Sequence, residues 1–365
     1  MKVCQIYNFA PHYRSLIYSL LSTEFDTDFV FGKSSRDLKK MDYKLLNGNV
    51  IEVDYINRHG IIYQKGVVSM LFKKYDKYIL TGETRNISIW LFLLCAKFFS
   101  NKKVYLWTHG WYGKEKGVKR LLSKFFFSLS DGIFLYGDYA KRLMINEGFN
   151  KDKLFVVHNS LDYEKHLNLR KKVYNKTIYK DYFKNDSPVL IMIGRLNLRK
   201  KMHLLLKAIA KLRDKGDLYN VVFIGDGEDR IKLEKLSEEL GISNQTWFYG
   251  SCYDEVVNAE LIYNADMCVV PGDIGLTAIH VMTFGVPVVT HNYFPNQGPE
   301  FETIKKGVTG DFFNSDDIHS LIETIEKWFM INKDREKVRA ACMQEIDKSW
   351  NPNYQLKIIK EVINN

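Results

Sequence analysis

The chain has 365 residues, of which 46% are hydrophobic, 26% charged and 14% aromatic, with only 7 prolines. That composition is globular, long enough for two domains, and excludes a disordered or collagen-like chain. The formal net charge is +10, and all of it lies in the first half: residues 1–165 carry 26 basic and 16 acidic side chains, residues 166–365 carry 27 of each. Such asymmetry turns the first half toward something anionic: a membrane surface, a phosphorylated acceptor or nucleic acid.

Cys4, Cys95, Cys252, Cys268 and Cys342 are scattered, odd in number and without a CxxC. This argues against a disulfide framework or structural zinc and fits a reducing cytoplasm. The N-terminus lacks a secretory layout, its apolar run ending at Pro11 and His12. The most apolar stretch, Ile87–Ala96, falls short of the ~20 residues a membrane span needs and reads as a buried helix.

Short apolar runs alternate with amphipathic stretches along the whole chain. Strands are expected at Val3–Tyr7, Thr27–Phe31, Val50–Val53, Tyr78–Leu80, Val104–Thr108, Gly132–Tyr136 and Leu154–His158. Helices are expected between them at Tyr13–Leu21, Val67–Lys73, Ile87–Phe99, Gly117–Leu129 and Tyr139–Glu147. The polar, tyrosine-rich stretch 163–187 breaks the pattern and reads as an inter-domain connection, with helix left open for part of it. A second series follows, with strands at Val189–Ile193, Asn220–Ile224, Thr246–Tyr249, Cys268–Pro271, Val286–Thr290 and Asp311–Phe313. Its helices are Met202–Lys215, Arg230–Leu240, Asp317–Phe329 and Asp334–Lys348. Two doubly wound α/β domains result, over 1–165 and 188–349, with ligands expected at the carboxyl ends of strands.

Three loops of the second series carry chemistry. Gly194-Arg195-Leu196-Asn197-Leu198-Arg199-Lys200 joins a strand to a helix. Its glycine permits close approach of the backbone, and Arg195 with Lys200 offers a guanidinium fork and an ammonium to a diphosphate. A solvated basic loop is the plain alternative. Gly225-Asp226-Gly227 is a tight turn lacking the third glycine of the dinucleotide fingerprint. Gly272-Asp273-Ile274-Gly275-Leu276-Thr277 leads into a helix bearing His280, and amides near Gly275–Thr277 can receive a phosphate.

In this order and spacing the three loops resemble the nucleotide-sugar half of retaining glycosyltransferases of family 4, which have the GT-B fold. Trp107-Thr108-His109-Gly110, Tyr139-Ala140-Lys141 and Val157-His158-Asn159-Ser160-Leu161-Asp162 are similar to that family's first half. The resemblance implies two Rossmann-like domains facing across a cleft, with the C-terminal segment 350–365 packing back on the first. It implies transfer of a sugar from a UDP- or GDP-linked donor to a glycan or lipid-linked acceptor, with retention and with no metal or cofactor. A capsule or O-antigen role at the inner face of the cell membrane belongs to the same implication. Gly194, Arg195, Lys200, Gly225, Gly227, Gly275, Leu276, Thr277 and His280 would bind the donor. Asp273 and His109 would contact the transferred sugar, and His12 and Arg14 would line the acceptor side.

The pattern departs from the family where two glutamates fall on Gly272 and His280, and where a glycine pair is replaced by Phe9-Ala10-Pro11-His12. A GT-B protein that binds a sugar or nucleotide without turnover therefore stays open, as does an epimerase or phosphorylase on a similar fold. Asp26-Thr27-Asp28 is a D-x-D read as a surface turn, and no cluster has metal-ligand spacing. Residues 111–127 interleave aromatics with basic residues. They suit an anionic membrane or a crossover helix with a solvated basic face, and carry no recognised nucleic-acid module.

Overall fold

The structure, a computed structural model, describes residues 1–33 and 39–365. Its strands are β1 (Lys2–Tyr7), β2 (Asp26–Lys33), β3 (Val50–Arg58), β4 (Ile61–Gln64), β5 (Lys77–Thr81), β6 (Lys103–Thr108), β7 (Gly132–Leu135) and β8 (Leu154–Val156). They continue as β9 (Val189–Ile193), β10 (Asn220–Ile224), β11 (Thr246–Gly250), β12 (Met267–Val270), β13 (Val288–His291) and β14 (Gly310–Phe313). The helices begin with α1 (Ser15–Glu24), α2 (Ile87–Phe99), α3 (Gly117–Ser128), α4 (Asp138–Asn146), α5 (Tyr163–Arg170), α6 (Ile178–Phe183) and α7 (Met202–Asp214). They end with α8 (Arg230–Glu239), α9 (Glu255–Asn264), α10 (Thr277–Thr283), α11 (Ile318–Ile331), α12 (Arg335–Ser349) and α13 (Pro352–Asn364).

The chain divides into two compact units, Met1–Asp162 with Asn351–Asn365, and Tyr163–Trp350. The first holds an eight-stranded sheet in the order β4-β3-β2-β1-β5-β6-β7-β8, parallel except for β4 against β3. The second holds a six-stranded parallel sheet, β11-β10-β9-β12-β13-β14. β9 and β10 are buried along their whole length. Continuous apolar runs are what a parallel sheet covered on both faces requires. In the first unit one face is covered by α13, whose Ile359 and Ile363 are buried with Val3, Ile17, Phe29 and Trp107. Gln355 of this helix donates to the His158 carbonyl (2.9 Å) and accepts from Ser160 Oγ (2.5 Å).

The fold departs from the sequence reading at several places. β4 forms an antiparallel hairpin with β3 through His59-Gly60, both in the left-handed region. Residues 163–187 belong to the second unit and do not stand outside both. They form α5 and α6 within the second unit, where Tyr179 and Phe183 are buried and Tyr179 donates to the Leu261 carbonyl (2.7 Å). Asp28 is not on a surface turn. It is buried, accepting from Tyr75 Oη at 2.8 Å and Asn49 Nδ2 at 2.9 Å. α2 buries only one face, leaving Ile87, Leu91 and Phe98 exposed on the other. Among the described residues no helix is long and apolar enough to cross a membrane.

Candidate active site

Chain order reverses beside β9 in the second sheet, with β10 on one side and β12 on the other. Loops leaving adjacent strands at such a point run in opposite directions and open a crevice at the carboxyl edge. The loops after β9 and β12 are the Gly194–Lys201 and Pro271–Leu276 segments.

Backbone contacts fix both loops tightly. Gly194 N donates to Ile224 O (2.9 Å), Leu196 N to Asp226 O (2.9 Å) and Gly272 N to Lys200 O (2.9 Å). A Cβ added at Gly225 would lie 1.9 Å from Gly194 O, and one at Gly227 2.2 Å from Leu196 O. These two glycines hold the basic loop in place by letting another backbone approach. The same crowding explains the missing first glutamate: a Cβ at Gly272 would lie 1.9 Å from Arg199 O.

Lys200 Nζ donates to the carbonyls of Asp273 (2.6 Å) and Ile274 (2.9 Å). Burial lowers its pKa, opposed by the charge of Asp273. An added Cβ at Gly275 would be only 3.9 Å from this ammonium. Gly275 takes φ +54°, turning the chain into α10. Among the described residues the N–H groups of Gly275, Leu276 and Thr277 meet no acceptor. The Thr277 hydroxyl donates to Ile193 O (2.9 Å), tying this turn to the end of β9. Arg195 follows Gly194 on the β9 loop and is exposed. The Lys200 ammonium and a run of amides therefore stand together at the glycine turn, with Arg195 on the adjoining loop, a combination suited to an oxyanion.

Asp273 does not point freely toward a sugar. Its Oδ2 accepts from Arg199 (2.7 Å) and its Oδ1 from Gly298 N (2.9 Å), so it braces the loop. A carboxylate the sequence reading missed stands behind it. Glu300 is 3% exposed, and its Oε2 would lie 2.6 Å from a Cβ at Gly298, a position also 3.5 Å from Gly275 Cα. Its charge acts on Lys200. Gln297, from the same segment, accepts from Ile274 N (2.9 Å) and donates to Thr290 Oγ1 (2.9 Å). The 297–300 segment thus forms the floor of the glycine loop.

His280, one turn into α10, is also not alone. Its Nε2 and that of His166 on α5 both donate to Oε2 of Glu255 on α9, each at 3.1 Å. The imidazoles stack with centroids 5.0 Å apart and planes at 13°. Burial would raise the Glu255 carboxyl, but the hydrogen bonds from His166 and His280 outweigh it and hold its pKa far below the usual carboxylate range. The ligand atoms of this trio lie within 4.8 Å of one another, so a cluster with metal-ligand geometry does exist among the described residues. Spacing along the chain hid it because three helices contribute one residue each. Both imidazoles are already served by the shared carboxylate.

In the first unit the order reverses beside β1, between β2 and β5. A cavity of about 220 Å³ opens there, lined by Asn8, Phe9, Gly82, Glu83 and His109 among others. His109 is exposed rather than a core histidine, its ring 4.8 Å from Tyr136 and 6.0 Å from Tyr112. His12 is exposed, with Nδ1 3.2 Å from the Lys39 carbonyl. Arg14 is 6% exposed, so it does not line an acceptor surface. Its guanidinium lies over the rings of Tyr7 (4.7 Å), Tyr136 (5.2 Å) and Trp107 (5.3 Å) and donates to Tyr136 Oη. It positions the aromatic floor beneath His109.

Residues 173–344, just under half of the chain, match the family described as Glycosyl transferases group 1. An uncharacterized glycosyltransferase of Methanocaldococcus jannaschii is 29% identical over 191 residues, 48% of this chain and 46% of that protein. A sulfoquinovosyl transferase of Arabidopsis thaliana is 26% identical over 168 residues, 45% of this chain and 31% of that one. The matches span less than half the length of these relatives. Among solved structures, the lipopolysaccharide outer core galactosyltransferase WaaB superposes with a TM-score of 0.73 at 17% identity, covering 100% of this chain and 99% of that one. Anabaena HepE in complex with UDP superposes with a TM-score of 0.74 at 15% identity, covering 100% of each chain. The chain has the GT-B fold, built as two Rossmann-like α/β units.

Proposed function

We propose that the protein is a glycosyltransferase that moves a sugar from a nucleotide diphosphate donor to a glycan or lipid-linked acceptor. The observation that carries this reading is the Lys200 ammonium beside the amides of Gly275–Thr277 at the reversal beside β9, with Arg195 exposed on the adjoining loop. Anabaena HepE is described in complex with UDP and with UDP-glucose, and the resemblance between folds supports a donor of the same class here.

In the proposed reaction the bond from the anomeric carbon to the diphosphate oxygen breaks, and the acceptor hydroxyl oxygen bonds to that carbon as its proton passes to the leaving diphosphate. Negative charge builds on the leaving diphosphate. Arg195, Lys200 and the loop amides meet it with preorganised donors, the largest single effect available to such a site. These fixed positive groups supply the neutralisation that a divalent ion supplies elsewhere, so the reading is of metal-independent transfer with no cofactor. Glu300 replaces the carboxylate that Gly272 cannot carry, and the Glu255–His280 pair replaces the second glutamate as the ribose anchor. His109 keeps the role of contact with the sugar or its phosphate, and His12 that of an acceptor-side group. Retention, and service in surface polysaccharide synthesis, complete the proposal.

A second reading is a donor-binding protein without turnover, favoured by the engagement of both Asp273 oxygens. A thermal-shift screen of UDP- and GDP-sugars, followed by product analysis over an acceptor panel, separates the two. Donor stabilisation with a product whose linkage, by NMR, keeps the donor's anomeric configuration supports retaining transfer. Stabilisation without product supports the second reading, and no stabilisation by any nucleotide contradicts both.

A further inference from the structure

We infer that the outer face of α2 and α3 is a docking surface for an anionic lipid bilayer. α3 is apolar on two opposite sides. Ser123, Phe126 and Phe127 are buried against the core. Val118, Leu121, Leu122 and Phe125, at i, i+3, i+4 and i+7, form one stripe on the other side, with Val118 71% and Leu121 63% exposed. The solvated surface of this helix is therefore apolar as well as basic. α2 repeats the pattern: Ile89, Phe92, Leu93 and Ala96 are buried, whereas Ile87, Leu91 and Phe98 are exposed at i, i+4 and i+11. Trp90 on α2 lies 6.1 Å from Phe125 and 4.9 Å from Phe126, so the two stripes are neighbours on one surface.

Charge identifies the occupant. Residues 97–124 hold eight basic side chains and one acidic. On the helical wheel Lys119 flanks the α3 stripe on one side, and Arg120 and Lys124 on the other. Lys97 stands beside Phe98 on α2, and Lys116 precedes α3. Arg120 is paired with Glu147 at 2.7 Å, while Lys97, Lys116 and Lys119 are exposed. An apolar face edged by lysines matches a bilayer, where aromatic and aliphatic groups enter the acyl boundary and ammonium groups meet anionic headgroups. A second copy of the chain fits less well, because its own lysine edge would face this one. The inference concerns binding alone and does not depend on the transfer reading.

The test is cosedimentation of the full chain with extruded vesicles of phosphatidylcholine, alone or with about 30% phosphatidylglycerol. The expected result is binding to the anionic vesicles, weak binding to neutral ones, and release as salt is raised. Leu121→Ser with Phe125→Ser should lower the partition coefficient at least about tenfold. Lys116→Glu with Lys119→Glu should lower it on anionic vesicles alone. All four side chains are exposed, and unchanged thermal melts would show that the variants fold. Wild-type protein left in the supernatant of every vesicle overturns the inference, as does binding that ignores the apolar substitutions. Concentration-dependent dimerisation abolished by Leu121→Ser with Phe125→Ser, without vesicle binding, would overturn it too and assign the face to a second copy.

Discussion

Glu255 and His280 meet at 3.1 Å across two helices, and the same carboxylate oxygen receives His166 at 3.1 Å. His280 occupies the position where the resemblance expects a glutamate, so a carboxylate is present there but enters from α9. Its depressed pKa has a definite consequence for stability. Above about 4.3, the ordinary glutamate value, the contribution is fully present. Below it the unfolded chain takes up a proton that the folded chain resists, so stability falls with pH. Glu255→Gln should flatten this acid limb in melts between about pH 5 and about pH 3. At neutral pH it should cost about 1–3 kcal/mol through two weakened charge-assisted hydrogen bonds.

Restoring the family glutamate at Gly272 should harm the protein. The added Cβ would lie 1.9 Å from the Arg199 carbonyl, a backbone atom that cannot swing aside. Gly272→Glu should lower stability by about 3 kcal/mol or more in urea unfolding.

Glu300→Gln separates nucleotide binding from sugar transfer. If Glu300 serves the transferred sugar, the variant should bind nucleotide diphosphate within about threefold of wild type while kcat falls at least about tenfold. Calorimetric titration and single-turnover rates measure the two quantities.

Arg14→Met should destabilise the first unit. The substitution keeps the side chain's bulk but removes the cation over Tyr7, Trp107 and Tyr136 and the donor to Tyr136 Oη. A loss of about 2–4 kcal/mol is expected in chemical unfolding. Tyrosine fluorescence should change with it, because the aromatic floor loses its centre.

Much of the fold was legible because buried parallel strands are short unbroken apolar runs. Val189–Ile193 and Asn220–Ile224 form as the sequence reads them. β4 was missed because IIYQ is a four-residue edge segment with alternating burial. α9 was missed although Asp254 caps it, accepting from Val256 N at 2.8 Å; its apolar residues do not gather on one stripe. The glycine loops were legible as motifs, but not what holds them. Asp273 serves Arg199 and Gly298, and Glu300 arrives from a segment with no motif of its own. The His166–Glu255–His280 trio left no signal in spacing, since Glu255 is 89 residues from one partner and 25 from the other. The basic, aromatic stretch of α3 was visible, but only packing shows that an apolar stripe faces solvent along with its charge.

The central claim is that the crevice beside β9 receives the leaving diphosphate. A crystal structure of the protein soaked with UDP or GDP tests it most directly. The diphosphate is expected within hydrogen-bond reach of Arg195, Lys200 and the Gly275–Thr277 amides. Clear nucleotide density away from these groups, with the β9 loop untouched, would contradict it.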